Sequence, residues 1–419
     1  MRTTVDQEKN KNTTEIVSAT PYIGMGNPTE TAAITQELST AGLEIVAHYP
    51  SGFMITAGSV FHTLMSSSTK RTMQYAENST QTRESGLAKP LILQLQLFVR
   101  NMLTRYPNAQ FFLTPQNVLG EQATQVNLNG KKFCVIMILP DAMGKLSPLR
   151  EPTAAQRDIS YLVWNEQAYE VLTQQWELDV QLIKLLDPLQ AFPQLNQQQI
   201  EHLGLPEIFE QEKLCVFKLS GSGGDPELIT QIIQALWKNS GVKSIVFPGK
   251  THTGINLALR GWLSATTLNP KKTDTPRIKW SLDEGLFYNL TRQMNHAEQL
   301  LVTYPSEQVK HSMVLSQQGT PARIVWLPPR GEHEVLNLVH YLYLTHQQNR
   351  VTTICIPKQY QQNLEKQLQV YGFKLQTHYE MVEPNQLTKE NFHTSPAWQE
   401  TQEHVAPQQA VRTIMARHK

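Results

Sequence analysis

The chain has 419 residues, 40% of them apolar and 17% charged, a balance that suits a soluble globular protein with room for two domains. Lys and Arg total 37 against 36 Asp and Glu, which argues against the concentrated positive field of a nucleic-acid binder. Cys134, Cys215 and Cys355 each sit inside an apolar run, an odd and widely spaced set that argues against a disulfide framework or a zinc site. Buried strand thiols in a reducing compartment are the expectation.

Residues 1–14 form a polar leader without an apolar signal core, and no run of 18 apolar residues predicts a membrane span. EIVSATPYI (15–23) reads as a strand, GMGNP as a turn, TETAAITQELSTAG (29–42) as a helix closed by Gly42, and LEIVAHY (43–49) as the next strand. That order is a βαβ unit, the building block of parallel sheets with right-handed crossovers. Ser66 to Leu87 reads as a long polar loop. KPLILQLQLFVRNMLTRY (89–106) has helical apolar spacing with Lys89, Arg100 and Arg105 at its ends; burial in the core is expected, with a membrane-surface face as the alternative. The strand AQFFLTP, a polar connection and the strand KKFCVIMILPD (131–141) follow. A loop, the strand SYLVWN, the helix EQAYEVLTQQW and the strand VQLIKLL then lead to a hinge near 195–212.

The second half repeats the arithmetic. LCVFKLS (214–220) predicts a strand, GSGGD a Gly-rich turn, and PELITQIIQALWKN (226–239) a helix with Pro226 and Glu227 in its first turn. VKSIVFPG, RIKWSL, QLLVTYPS and ARIVWLPP read as further strands, and VTTICIP closes the set. From Glu383 the chain is Gln-rich and ends in a helical pattern, APQQAVRTIMARHK. The expected fold class is α/β: two doubly wound, Rossmann-like domains, 15–205 and 206–382, facing an interdomain cleft, with a tail over 383–419 that carries a terminal helix.

Two stretches point to a ligand. SGSGGDP (220–226) follows a strand and opens a helix, so its backbone N–H groups and the helix dipole suit a diphosphate. Its spacing is not that of the G-x-G-x-x-G dinucleotide fingerprint, and no P-loop Gly-Lys-Ser/Thr is present. A tight turn without a ligand is the other reading. WLPPRGEHEVLNL (326–338) places two strand-stopping prolines and a polar cluster before a second helix, a common place for ligand contacts in α/β domains.

Taken together, SGSGG, the helix after it, and later YPSE, QQGTP and the loop ending His333-Glu334-Val335-Leu336-Asn337 resemble the nucleotide-sugar half of GT-B glycosyltransferases. The pattern is similar to that of the enzyme adding N-acetylglucosamine to the lipid-linked peptidoglycan precursor and of the diacylglycerol glycosyltransferases. It spans most of 15–345 as a pattern rather than as identities. The resemblance implies a donor diphosphate at Ser220, Gly221, Ser222, Gly223 and Gly224; Arg330, by its planar guanidinium, is a candidate for a further, bidentate phosphate contact. The resemblance also implies donor sugar or nucleotide contacts at Ser306, Glu307, His333, Glu334 and Asn337, and an acceptor-side turn at Gly24, Gly26 and Asn27. Two positions depart from the family pattern. Asn27 stands where members often carry a His, and Val314 where the peptidoglycan enzyme carries a ribose-binding Glu.

Such chemistry needs a base for the acceptor hydroxyl and stabilisation of the leaving diphosphate. Asp141 and His48, each at a strand end, are the base candidates. No cofactor and no metal ion are called for. The expected function is transfer of a sugar, hexosyl or N-acetylhexosaminyl, from a nucleotide-diphosphate sugar such as a UDP-sugar to a small-molecule, lipid or glycan acceptor, with inversion. A nucleotide-sugar 2-epimerase and a catalytically silent nucleotide- or carbohydrate-binding protein stay open. No nucleic-acid partner is expected. The expected compartment is the cytoplasm, with peripheral membrane contact left open.

Overall fold

The structure is a computed structural model that describes residues 15–20, 26–48, 50, 68, 89–139, 151–164, 166–186, 198, 214–219, 224–247, 277–280, 300–305, 323–330, 332–394 and 403–418. The chain divides into two compact units.

In the first unit, strand β1 (Ile16–Ala19) leads to helix α1 (Gly26–Thr40) and strand β2 (Ile45–His48). Gly42 takes φ +82°, and the amides of Gly42 and Leu43 reach back to Ser39 O and Leu38 O, a Schellman-type stop. Helix α2 (Lys89–Arg105) buries Leu95, Val99, Met102 and Leu103 and leaves Leu93 and Leu97 exposed. Strand β3 (Phe111–Thr114) follows, then helix α3 (Asn117–Gln125) and strand β4 (Cys134–Leu139). Helix α3 corrects the expected polar connection. Gln116 caps it by accepting from Leu119 N at 3.0 Å, and only Leu119, Gly120 and Ala123 among its apolar or small residues are buried, too sparse a stripe to read in sequence.

Strands β5 (Ile159–Val163) and β6 (Ile183–Leu185) complete a sheet of order β2-β1-β3-β4-β5-β6, parallel at every pairing among the described residues. Such a sheet is covered on both faces, so its strands are continuous apolar runs rather than alternating ones. The terminal helix (Pro407–His418) belongs to this unit: Ala410, Val411 and Ile414 are fully buried, and Arg412 donates to Ala41 O at 2.6 Å. His418 Nε2 lies 3.1 Å from Ser160 Oγ on β5.

The second unit opens with strand β7 (Leu214–Lys218), helix α6 (Pro226–Ser240) and strand β8 (Ser244–Phe247), the first-unit helices Ala154–Arg157 and Glu166–Glu170 being α4 and α5. Strands β9 (Arg277–Trp280), β10 (Leu300–Thr303) and β11 (Arg323–Trp326), helix α7 (Glu332–Gln347), strand β12 (Thr352–Cys355), helix α8 (Lys358–Gln369), strand β13 (Tyr379–Val382) and the short β14 (His393–Thr394) follow. The strand order is β13-β12-β11-β10-β7-β8-β9, with β14 antiparallel to β11. Residues 352–355 therefore do not close the set. β13 is a half-exposed edge strand of mixed polarity, and β14 has two residues, so neither carries an apolar run.

Cys215 and Cys355 are buried in β7 and β12, and burial pushes both thiols up; Cys134, in β4, is half-buried. Among the described residues no helix is long and apolar enough to cross a membrane.

Candidate functional site

Strand β7 has β8 on one side and β10 on the other, so the chain reverses its direction of sheet growth between β7 and β10. In open α/β sheets the crevice beyond the carboxyl ends of strands at such a switch point is the usual ligand position. The register sets Thr303 of β10 level with Lys218 of β7 and with Trp326 of β11. Tyr304, next after Thr303, therefore emerges between the turn that leaves β7 and the loop that leaves β11.

Each of those segments touches Tyr304. Gly224 adopts φ +84°, a conformation that L side chains avoid, and a Cβ there would lie 2.6 Å from the Tyr304 hydroxyl oxygen. The Asp225 N–H donates to that same hydroxyl at 3.3 Å. Asp225 is also the N-cap of α6: its Oδ1 accepts from Glu227 N at 3.0 Å and from Leu228 N at 3.4 Å, and Pro226 follows at the first helical position. Two amides of the first turn are thus held by the chain's own carboxylate.

From the other side, Arg330 lies over the Tyr304 ring, its Cζ 3.7 Å from the centroid. Glu334 fixes it there. Its Oε2 accepts from Arg330 N at 2.6 Å and Nε at 3.2 Å, and its Oε1 pairs with Nη2. Both side chains are buried, Arg330 at 8% and Glu334 at 4% exposure, so this is a desolvated ion pair with its hydrogen bonds satisfied on three sides. Burial raises the Tyr304 phenol to about 12, with Arg330 pulling it down and Asp225 raising it, so the hydroxyl is neutral at any working pH.

One turn along α7, Asn337 donates from Nδ2 to Pro305 O at 3.4 Å, while its buried Oδ1 has no hydrogen-bond partner among the described residues. An unsatisfied buried acceptor costs about 1–3 kcal/mol, so a donor brought to this oxygen would be stabilising.

Arg330, Glu334 and Gly224 are therefore brought together around Tyr304, with Asn337 reaching the residue after it. His333 lies in the first turn of α7, and Gly26 and Asn27 in the first turn of α1. Gly24, Asp141, Ser220, Gly221, Ser222, Gly223, Ser306 and Glu307 lie outside the described residues, as do Val314 and the turn 319–321. His48 belongs to the first unit, with Nε2 2.8 Å from the Tyr106 hydroxyl; burial, then the Arg105 charge, holds its pKa below the usual value. Sequence reasoning assigns Asp225 no role, and it reads Tyr304 only within the stretch 304–307 expected to line the donor's base or ribose, not as the centre of the cluster. The Asp-Pro pair before an apolar helix is a readable cap signal. Nothing local marks an aromatic at a strand end as the meeting point of two loops.

No family model matches the chain, and no curated protein does. Solved structures do. UDP-GlcNAc 2-epimerase of Methanocaldococcus jannaschii, in complex with UDP-GlcNAc and UDP, is similar with a TM-score of 0.52 and 11% identity, over 96% of this chain and 99% of that one. A Listeria monocytogenes protein assigned as a UDP-N-acetylglucosamine 2-epimerase gives 0.52 and 11%, over 97% of each chain. Arabidopsis thaliana UGT89C1 complexed with UDP gives 0.48 and 12%, over 97% and 94%. At these identities the likeness is one of fold. The chain has a GT-B-like fold, built from two Rossmann-like α/β units with parallel sheets.

Proposed function

We propose that the chain is an enzyme of nucleotide-diphosphate sugars, transferring a hexosyl or N-acetylhexosaminyl group from a UDP-sugar to an acceptor hydroxyl. The observation that supports this most is the polar cluster at the switch point of the second sheet, where Gly224, Asp225, Tyr304, Arg330 and Glu334 meet. In this reading the backbone of Ser220–Gly224 cradles the diphosphate, and Arg330 adds positive charge at its border. Asn337 offers its unpartnered Oδ1 to a sugar hydroxyl, next to Ser306 and Glu307, while His333 and Glu334 shape that end of the site.

The acceptor hydroxyl attacks the anomeric carbon as the bond to the diphosphate oxygen breaks, and its proton passes to a base. Asp141 and His48 are the base candidates. A depressed pKa keeps the His48 imidazole neutral near pH 7, the form a base requires. Attack opposite the leaving group inverts the anomeric centre, and the amide-lined turn does the electrostatic work without an essential metal. Gly24, Gly26 and Asn27 border the acceptor, a small molecule, lipid or glycan.

A second reading is nucleotide-sugar 2-epimerisation. It is favoured by the two neighbours with TM-scores of 0.52, both UDP-GlcNAc 2-epimerases by name or assignment. The two chemistries separate in heavy water. Epimerisation breaks the C2–H bond, so recovered UDP-GlcNAc gains deuterium at C2. Transfer releases UDP in step with a glycosylated acceptor and leaves C2 unlabelled. Calorimetry with UDP, GDP and dTDP comes first: binding without turnover of any kind would leave a silent binding protein, and binding of none would remove both enzymatic readings.

A further inference from the structure

The two candidate donor-side segments, the turn around Gly224 and the loop from Arg330 to Asn337, are far apart in sequence and meet through one side chain. We infer that Tyr304 is a positioning residue whose hydroxyl couples the Arg330–Glu334 pair to the diphosphate-binding turn at Gly224–Asp225. This rests on the nucleotide-sugar reading above and adds to it the part that sets how firmly the diphosphate is held.

The geometry is specific to a tyrosine. The ring supplies the platform for the Arg330 guanidinium, 3.7 Å above its centroid, and phenylalanine would supply the same platform. The hydroxyl supplies what phenylalanine cannot, an acceptor for Asp225 N–H at 3.3 Å, at the only place where the turn enters α6. Gly224 has no Cβ, and the hydroxyl fills that space. Turn and hydroxyl are thus in contact along both the backbone N–H and the Cα. At the other end, Glu334 holds Arg330 through its backbone amide as well as its side chain, so any shift of the first turn of α7 moves the guanidinium on the ring. A sugar engaging Asn337, one turn on in the same helix, would be felt at Gly224 through this stack. Coupling of this kind requires a chain of packed groups, and here every link is a contact.

The coupling predicts a selective loss. Tyr304→Phe keeps the ring stack and the fold but frees the turn, so it weakens the grip on the β-phosphate and not on the nucleoside. Calorimetry of the full chain with UDP, UMP and uridine reads this directly. The ratio of UMP to UDP dissociation constants should fall about three- to ten-fold in Tyr304→Phe, the worth of one lost hydrogen bond, with uridine affinity unchanged. Glu334→Gln reads the same link from the far end, with Tyr304 intact. The double variant should lose less than the two single losses combined, because both act through one path. Equal loss for UDP, UMP and uridine, or no change in the ratio, would overturn the coupling while leaving the proposed function standing. If the unsubstituted protein binds no nucleoside diphosphate, the proposed function fails and this inference fails with it.

Discussion

Glu334 holds Arg330 over the face of Tyr304, in a buried ion pair four residues apart across the entry to a helix. Exposed pairs at this spacing are worth only a few tenths of a kcal/mol, but here both side chains are more than nine-tenths buried, and removal of one leaves the other without its counter-charge. Glu334→Ala or Arg330→Ala should each cost about 3–5 kcal/mol of stability, read as a shift in urea midpoint. Replacing both, Arg330→Met with Glu334→Leu, should cost clearly less than either single change. Additive losses would show that the pair is not coupled in the folded state.

Gly224 and Gly42 share the same backbone region, φ +84° and +82°, but not the same surroundings. A Cβ at Gly42 meets nothing within 4 Å, so Gly42→Ala should cost about 1 kcal/mol from the left-handed backbone alone. At Gly224 the new methyl also strikes the Tyr304 hydroxyl, and the cost should rise to roughly 2–4 kcal/mol, with weakened UDP binding. Equal costs at the two positions would mean that Tyr304 does not press on this turn.

Much of the second unit was legible because parallel strands buried on both faces leave continuous apolar runs. LCVFK, SIVF, LLVT and RIVW each lie within a stretch read as a strand, and the helix expected over 226–239 runs from Pro226 to Ser240. The Asp-Pro-Glu start and the Gly241 stop are local chemistry that a sequence displays. The site was legible only by segment. Arg330 and Glu334 look like part of a solvated polar loop, and their burial follows from where β10 sits in the sheet, which no local pattern encodes. Helix α3 and strands β13 and β14 escaped for the same reason: a central neighbour, not an apolar stripe, holds them.

Acid should loosen the fold in two stages. Burial first, and then Arg105, His346 and Arg417 respectively, hold the pKa values of His48, His378 and His418 below 6.5. The folded chain then binds fewer protons than the unfolded one, so stability is complete above about pH 6.5 and falls as pH drops through that value. Glu380 has the same linkage at lower pH. Its hydrogen bonds from His393 and Thr353 hold its pKa below 4.5, and the stability it adds is lost as pH falls through that lower folded value. Urea midpoints across this range should show both steps, and His418→Gln should flatten the first. A midpoint that rises on acidification through pH 6 would refute the assignment.

The terminal helix should behave as part of the first unit's core. Ile414 is fully buried, so Ile414→Ala should cost about 2–4 kcal/mol, against less than 0.5 kcal/mol for a change at exposed Gln409. Thermal unfolding of the two variants checks this. A tolerant Ile414 would mean that the helix is an appendage.

Amide hydrogen exchange with and without UDP tests most directly whether the switch point of the second sheet is where a nucleoside diphosphate is held. Protection on UDP addition is expected in the peptides covering 220–228 and 328–338, with β8 and β12 unaffected. Protection confined to other segments, or none at saturating UDP, would contradict the account.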